Sequence, residues 1–342
     1  MKTKLFTLFF IGLSLLLAPQ LIAQDLHFSQ FYHSPLNINP ALTGVFKGDL
    51  RFAGNYRRQW QSVPIPYLTF SAAFDMKYFH RKLGNGFFAG GFIFDHDKSG
   101  DAEMRYTQIT FSGSYTHQLN ENHLLSLGFQ FGTGQRRYSI EKLTFGNQFN
   151  GDIFVPTADN GESFRNEQVF YTDLSTGLNW HIQQEDRLYW ADIGFGVFHL
   201  ARPNVSFDDQ KESRLFRRFS YYGIGGFRIN EKMDLVLHAL GQSQGPSMEL
   251  IGGSAFRYRV NQQRGKELAI QLGTSYRFIG TNDAIIPTFE VHYNAWIVGL
   301  SYDMNLSDFK VATDRNGGPE LAVIYTITKV KALKEHKVCP IF

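Results

Sequence analysis

Alternation of apolar and polar residues is the dominant pattern along most of the chain. From Leu125 to Phe131, the odd positions hold Leu or Phe and the even positions hold Ser, Gly or Gln. The same period of two recurs in residues 268–278 and 285–304. This period places the apolar and the polar side chains on opposite faces of a β-strand. The sequence therefore predicts an all-β protein.

Three features separate these predicted strands from those of a soluble β-sandwich, in which the apolar face would point to an internal core. The strands run for about 10 to 15 residues, whereas soluble strands usually have five or six. Their apolar faces often end in Tyr or Trp, as at a membrane interface, and their other faces carry charges suited to a wet lumen. The predicted lumen charges are Asp173, Asp192, Arg277, Glu290 and His292. We therefore predict a transmembrane antiparallel β-barrel, which must close because lipid cannot satisfy an open strand edge.

The alternating segments and the connections between them predict the number of strands and their direction. The pattern gives about fourteen strands, at residues 50–60, 66–80, 86–97, 103–118, 122–138, 168–182, 187–200, 216–230, 233–243, 246–260, 266–280, 283–294, 295–306 and 318–330. An even number places both chain termini on one side, the periplasm in this class. The connections assigned to the periplasm, such as 119–121 and 183–186, are short, and those assigned outside, such as 139–167, are long. Outer-membrane barrels show this asymmetry.

The N-terminus has the features of an export signal. Lys2 and Lys4 precede the apolar stretch 5–17, and Ala23 offers a cleavage point. We divide the chain into a signal peptide at 1–23, an N-terminal plug segment at 24–49, a barrel at 50–330 and a periplasmic C-terminal tail at 331–342. The predicted location is the outer membrane.

The plug segment has neither helical nor strand periodicity. Its two prolines remove main-chain donors and favour extended geometry before them, so we expect an irregular segment. Its two asparagines can bond their own main chain in tight turns. Its aromatic residues need a surface to pack against, which favours a plug against the inner barrel wall or the periplasmic mouth over a disordered linker. The predicted plug residues are Phe28, Phe31, Tyr32, Pro35, Asn37, Asn39 and Pro40.

Composition and motifs argue against other functional classes. The net charge of +3 is scattered and indicates no nucleic-acid partner. A single cysteine, Cys339, excludes an intrachain disulfide. His27 and His33 lack further ligands at metal-binding spacing. No G-x-S-x-G turn supports a hydrolase triad. We therefore expect no catalytic residues, no metal and no cofactor.

The connection at residues 139–167 is the strongest candidate for contact with a partner. Long irregular loops in a compact domain are usually functional or disordered, and exposed aromatic residues often anchor interfaces. We expect this loop to fold over the outer mouth or to contact a secreted partner. The candidate contact residues are Phe145, Phe149, Phe154 and Phe164.

Several motifs resemble one known family. The run from Gln24 to Phe52, QDLHFSQFYHSPLNINPALTGVFKGDLRF, is similar to the N-terminal signature of the PorP/SprF family of the Bacteroidota type IX secretion system. The runs NYRRQW at 55–60 and GGPELAVIY at 317–325 and the tail VCPIF continue the resemblance. It implies an outer-membrane barrel of about fourteen strands that is not an enzyme. It also implies partners: secreted adhesins with a type B C-terminal domain, or periplasmic parts of the machine.

Two functional hypotheses follow. The first is a partner-binding barrel, embedded in outer-membrane lipid, that supports secretion or gliding. The second is a channel for small or apolar solutes, in which the N-terminal segment serves as a hatch. A channel needs a continuous path through the lumen, whereas a scaffold can be plugged.

Overall fold

The computed structural model describes residues 25–59, 67–78, 85–100, 102–140, 143–159, 166–184, 188–208, 212–278, 284–306 and 316–328. The predicted signal peptide and the C-terminal tail with Cys339 lie outside these residues. The fold is a closed barrel in which each strand pairs with its neighbours in sequence and β14 pairs with β1. The predicted fold class and strand number are therefore confirmed.

The strands match the alternating segments of the sequence closely. They are β1 Leu50–Gln59, β2 Tyr67–Tyr78, β3 Gly86–Ser99, β4 Met104–Asn120, β5 His123–Arg137, β6 Gln168–Gln183, β7 Tyr189–Phe198, β8 Arg218–Arg228, β9 Met233–Gln244, β10 Ser247–Asn261, β11 Leu268–Phe278, β12 Ala284–Tyr293, β13 Trp296–Asn305 and β14 Asn316–Ile327. All pairings are antiparallel.

The two faces of the wall differ as the period of two requires. On β4, Phe111 points outward and is 63% exposed, whereas its neighbours Ser112 and Ser114 point inward and are buried. On β5, Phe129 is exposed and Gln130 is buried. An apolar outer band around a polar interior is the arrangement of barrels that cross a bilayer. None of the helices in the described residues is long and apolar enough to span a membrane.

The two ends of the barrel have connections of different length. We call the end where β1 begins and β14 ends the turn end, and the opposite end the loop end. Short connections such as 121–122 and 294–295 lie at the turn end. The long connections between β5 and β6 and between β7 and β8 lie at the loop end. The asymmetry in the structure is the one expected from the sequence.

The N-terminal segment crosses the lumen from the loop end to the turn end. Asp25 donates its main-chain N–H to Gln244 at the end of β9 (3.0 Å), which lies at the loop end. Asp49 donates its main-chain N–H to Ile327 at the end of β14 (2.9 Å), which lies at the turn end. The first described residue therefore lies at the loop end and the last, residue 328, follows the turn end of β14, while the termini for which a periplasmic position was predicted lie outside the described residues. Strand parity fixes the ends of β1 and β14, but it does not detect a segment that traverses the interior before β1.

The segment is also more regular than predicted. It contains three single helical turns, at Phe31–His33, Pro35–Ile38 and Pro40–Leu42. Pro35 and Pro40 each stand at the start of a turn, where the missing N–H would be unsatisfied in any case. The prolines therefore begin short turns here and separate each turn from the one before it.

Candidate functional site

The plugged lumen is the most elaborate site in the described part of the chain. Side chains of the barrel wall bind the main chain of the N-terminal segment along its whole length. The carboxylate of Glu320 accepts the N–H groups of Ser29 (2.7 Å) and Gln30 (2.8 Å). Arg57 donates to the carbonyl of His27 (2.7 Å). Further wall donors reach the carbonyls of Leu36, Asn37, Thr43 and Phe46.

These contacts have a simple physical cause. A segment that passes through the interior of a barrel has no strand partner, and an unpaired buried main-chain group costs about as much as a lost hydrogen bond. The wall supplies the missing partners with polar side chains at inward positions. The main-chain groups of the segment are therefore bonded partly within its own short turns and partly to the wall.

A buried charged cluster binds the segment in the loop-end half of the lumen. Asp303 pairs with both Arg57 and Arg277 and accepts the Ser29 hydroxyl (2.6 Å). Arg277 also pairs with Glu249 (3.0 Å). These side chains are almost completely buried, so each charge depends on its partners for solvation. The predicted lumen residue Arg277 thus lies within a network that also holds the plug.

A second cluster fixes the beginning of the described segment. His199, directly after β7, lies between Asp25 (2.5 Å) and Asp173 (2.9 Å). Arg218 lies 3.3 Å from the same Asp25 carboxylate. Burial disfavours the charged imidazole, but the two carboxylates outweigh it and raise the pKa of His199 to about 9. Burial opposes the Asp25 charge as well, but His199 and Arg218 hold the pKa of this carboxyl well below its usual value.

Glu290 contacts the polar side chains of the first helical turn. Its carboxylate accepts the Tyr32 hydroxyl (2.9 Å) and lies 3.3 Å from His33 and 3.0 Å from His292. The predicted lumen residues Glu290 and His292 are therefore adjacent. Within the described residues, no group of three or more His, Cys, Asp or Glu side chains is arranged to hold a metal ion.

The two asparagines of the segment differ in what they bind. Asn39 accepts the N–H of Ala41 (2.8 Å) and so caps the third turn, and its amide nitrogen donates to the carbonyl of Leu178 (2.8 Å) on β6. Asn37 instead donates its side chain to Ser71 (2.8 Å) and Asp95 (3.2 Å) of the wall. The expected bond to its own main chain is therefore formed by Asn39, and Asn37 is a cross-link to the barrel.

The aromatic and apolar residues of the segment pack in the interior. Phe28 and Phe31 are buried. Phe31, Ile38 and Leu42 form one apolar cluster with wall residues that include Ile251 and Ile286. The wall makes room for the main chain with glycine: a Cβ atom at Gly128 would overlap the main chain at Pro40 and Ala41.

Near the turn end, Arg51 and Asp75 hold the last part of the segment. The two side chains pair through two contacts of 2.9 and 2.8 Å. Asp75 also accepts the N–H of Gly44 (2.7 Å), and Arg51 donates to the carbonyl of Leu42 (3.1 Å). Asp192, by contrast, bonds wall residues: Asn179 (3.0 Å) and His181 (2.9 Å).

Comparison with protein families agrees with this architecture. The family described as "Type IX secretion system membrane protein PorP/SprF" matches residues 21–325. The chain belongs to the PorP/SprF family. The match covers both the segment that crosses the lumen and nearly all of the barrel, so the two parts belong to one family model. No curated protein is similar enough in sequence to match.

Solved structures similar to this PorP/SprF barrel are outer-membrane proteins. The toluene transporter TodX of Pseudomonas putida has 10% identity and a TM-score of 0.51, with 86% of this chain and 93% of that chain covered. A deltaS2 mutant of the TodX monoaromatic hydrocarbon channel has 11% identity and a TM-score of 0.50, with 87% and 94% covered. The CymD monoaromatic hydrocarbon channel has 10% identity and a TM-score of 0.49, with 87% and 93% covered. At this identity, the first two show a shared fold.

The long loop of the PorP/SprF barrel between β5 and β6 has exposed aromatic residues. Phe149 and Phe154 pair through an isolated β-bridge and are 54% and 42% exposed. Phe145 is half-buried beside a 3₁₀ turn at Gly146–Gln148. Phe164 lies outside the described residues.

Sequence reasoning missed several residues that hold the segment. They are Arg51, Asp75, His199, Arg218, Glu249 and Glu320. Most occupy inward positions of their strands, so the period of two could have placed them in the lumen. Arg57 is buried in the lumen, and Arg58 is exposed on the outer face.

Proposed function

We propose that this PorP/SprF barrel is a non-enzymatic, partner-binding component of the type IX secretion system in the outer membrane of a member of the Bacteroidota. It is exported with a signal peptide at residues 1–23, and its outward apolar side chains contact lipid. At the loop end it binds a secreted adhesin with a type B C-terminal domain, and at the turn end it contacts periplasmic components of the machine. This activity supports secretion or gliding.

The observation that carries the proposal is the occupied lumen. The N-terminal segment runs between both ends of the barrel and is bonded to the wall throughout. A barrel filled in this way is a rigid frame for recognition at its two ends. The rival function, a channel for small or apolar solutes, requires displacement of a segment held by buried ion pairs. The two TodX structures show that the fold is shared, and what their names say they transport is not transferred to this chain.

The orientation follows from the connections. Outer-membrane barrels have short periplasmic turns and longer extracellular loops. We therefore assign the loop end to the outside and the turn end, with the C-terminal tail, to the periplasm. The lumen-crossing segment then begins near the outer mouth.

The aromatic loop is the proposed contact with the secreted partner. Its tip is ordered by its own side chains: Asn150 accepts the N–H groups of Asp152 (3.0 Å) and Ile153 (2.9 Å). Ile153 is 62% exposed beside Phe149 and Phe154. A rigid loop tip that exposes apolar side chains loses little conformational freedom when it binds. This property suits an anchor for a protein partner.

Co-purification tests the proposal directly. An affinity tag inserted at the Asn294–Ala295 turn would isolate the barrel from gently solubilised membranes, and the co-purified secreted adhesin would be quantified by mass spectrometry. We expect the adhesin to be retained by the unmodified chain and to fall at least tenfold in the double variant Phe149→Ser, Phe154→Ser. Arg214→Ser is the matched control, because Arg214 is an exposed residue of another loop at the same end.

Two results would count against the proposal. Equal retention of the adhesin by both variants would exclude the aromatic loop as the contact. A barrel that purifies without any secreted or periplasmic component and conducts solutes in planar bilayers would favour the channel.

A further inference from the structure

Three basic side chains lie side by side on the outer face at the loop end of β3, β4 and β5. Lys98 on β3 is directly opposite Arg105 on β4, and Arg105 is directly opposite Arg137 on β5. All three share the outward face with the exposed Phe92, Phe111 and Phe131 of the same strands. We call Lys98, Arg105 and Arg137 the basic triplet.

One carboxylate compensates part of this charge. Glu103 accepts Lys98 Nζ (2.7 Å) and Arg105 Nη2 (2.6 Å). Among the described residues, no carboxylate lies within ion-pair distance of Arg137, which is exposed. Counted over the described residues, the triplet therefore keeps an excess of two positive charges. Like charges directly opposite each other on a sheet are destabilising, so the arrangement favours an added anion.

The position of the basic triplet along the barrel axis indicates which kind of anion it would meet. Arg105 is four residues from Ile109, the first exposed apolar residue of β4 toward the turn end on this face. At about 3.4 Å per residue and a strand tilt near 45°, the triplet lies roughly 10 Å beyond the edge of the apolar band. The polar headgroup layer of a bilayer extends about 5–8 Å beyond the hydrocarbon edge, so the strand positions of the triplet lie just outside this layer, and long Lys and Arg side chains can reach back into it. The side chains between, Thr107 and Gln135, are polar.

We propose that the basic triplet binds the phosphate group of a membrane lipid headgroup. The planar guanidinium groups of Arg105 and Arg137 can each donate two hydrogen bonds to phosphate oxygens, and the Lys98 ammonium adds a third cation. The acyl chains of the same lipid would lie along the exposed phenylalanines below. The proposal rests on the position of the barrel in a membrane and is independent of the secretion partners.

The test uses the full chain, purified in detergent, with three probes. The first is a bisphosphorylated lipid A, the second is the same lipid with its phosphates removed, and the third is inorganic phosphate. Binding is measured by native mass spectrometry and by displacement of a fluorescent lipid. We expect selective binding of the phosphorylated lipid, lowered about fivefold by Arg137→Gln and by Arg105→Gln, because each cation near a membrane surface contributes about that factor.

Arg58→Gln is the matched control, because Arg58 is an exposed outward arginine of β1 whose directly opposite neighbour on β2 is Leu68. It should bind lipid as the unmodified chain does. Arg137→Gln keeps the Glu103 contacts, so its folding is expected to be normal, and heat-modifiable migration in gels verifies this. Equal binding of the dephosphorylated lipid, an equal loss in Arg58→Gln, or full competition by millimolar inorganic phosphate would overturn the assignment to a lipid phosphate.

Discussion

The imidazole of His199 lies 2.5 Å from the carboxylate of Asp25, although 174 residues separate them in the chain. This pair holds the start of the lumen-crossing segment at the loop end. Because the pKa of His199 is raised to about 9, its charged form is favoured in the folded barrel. The stabilisation is full below about pH 6.5, the ordinary pKa of histidine, and is lost as the pH rises through 9.

We therefore predict an alkaline release of the segment start. In a Cys339→Ser background, a cysteine introduced by Leu26→Cys should become more reactive to a thiol-specific methanethiosulfonate probe as the pH rises from about 6.5 to about 10, with a stabilisation on the order of 3 kcal/mol lost. His199→Gln should be reactive at all of these pH values. At acid pH the pair is lost only below the ordinary carboxyl range, because the pKa of Asp25 is lowered. A ratio of the two labelling rates that stays constant with pH would exclude His199 as the anchor, because the ionisation of the thiol affects both proteins equally.

The second prediction concerns the buried charges around Asp303. Asp303→Asn would leave Arg57 and Arg277 without their shared carboxylate, and breaking a buried ion pair by removing one partner costs about 3–5 kcal/mol. We expect a loss of this size in the free energy of unfolding, measured by urea titration in detergent with tryptophan fluorescence. Glu212→Gln, which breaks the exposed pair with Arg214, should leave the free energy of unfolding nearly unchanged, because solvent and salt screen an exposed pair. Equal losses in the two variants would contradict the buried network.

The third prediction concerns Gly128, the wall residue whose missing side chain leaves space for the main chain of the segment. Gly128→Val would place side-chain atoms where the main chain of Pro40 and Ala41 runs. Overpacking of this kind typically costs about 1–3 kcal/mol, and here the segment has to move because the wall is hydrogen-bonded on both sides. We expect faster chymotryptic cleavage within residues 25–49, identified by mass spectrometry. Gly54→Val is the control, since a Cβ atom at Gly54 would meet nothing within 4 Å. Unchanged cleavage in Gly128→Val would place the segment elsewhere.

The fourth prediction tests the apolar outer face by depth. Phe111 and Leu119 are both exposed on β4, and Phe111 is in the middle of the apolar band while Leu119 is near the turn end, at an irregularity in the strand pairing. Arginine on the lipid face of a barrel costs about 2–4 kcal/mol at the bilayer midplane and about 0–1 kcal/mol near the interface. Phe111→Arg should therefore lower the stability of the barrel in lipid vesicles far more than Leu119→Arg. Equal effects would mean that this face does not contact lipid.

Alternation made the fold readable from the sequence. The segment predicted at 168–182 is β6 at Gln168–Gln183, and Asp173 and Arg277 point inward because their strands keep a strict period of two. Strand ends differ by up to three residues, since pairing stops where a neighbour turns. The period of two shows on which face of the sheet a residue lies, and this information was enough to predict a barrel and its number of strands.

The partners inside the lumen could not be predicted in the same way. Which inward side chain meets which depends on the closure of the barrel and on the path of the N-terminal segment, as Ser29 with Glu320 shows. Two inward residues of neighbouring strands can be guessed from register, but a contact with the segment cannot. The position of Asp25 at the loop end was missed for this reason, because no local pattern indicates the direction in which a non-strand segment runs.

The path of the segment constrains the order of assembly. Residue 49 joins β1 at one end of the barrel and residue 25 is bonded to the wall at the other end, so the sheet encloses a segment of its own chain that is held at both ends. If the barrel closed first, the segment would have to be threaded afterwards through a lumen that already contains several arginine side chains. The wall is therefore expected to wrap around the segment, with the β1–β14 seam closing last.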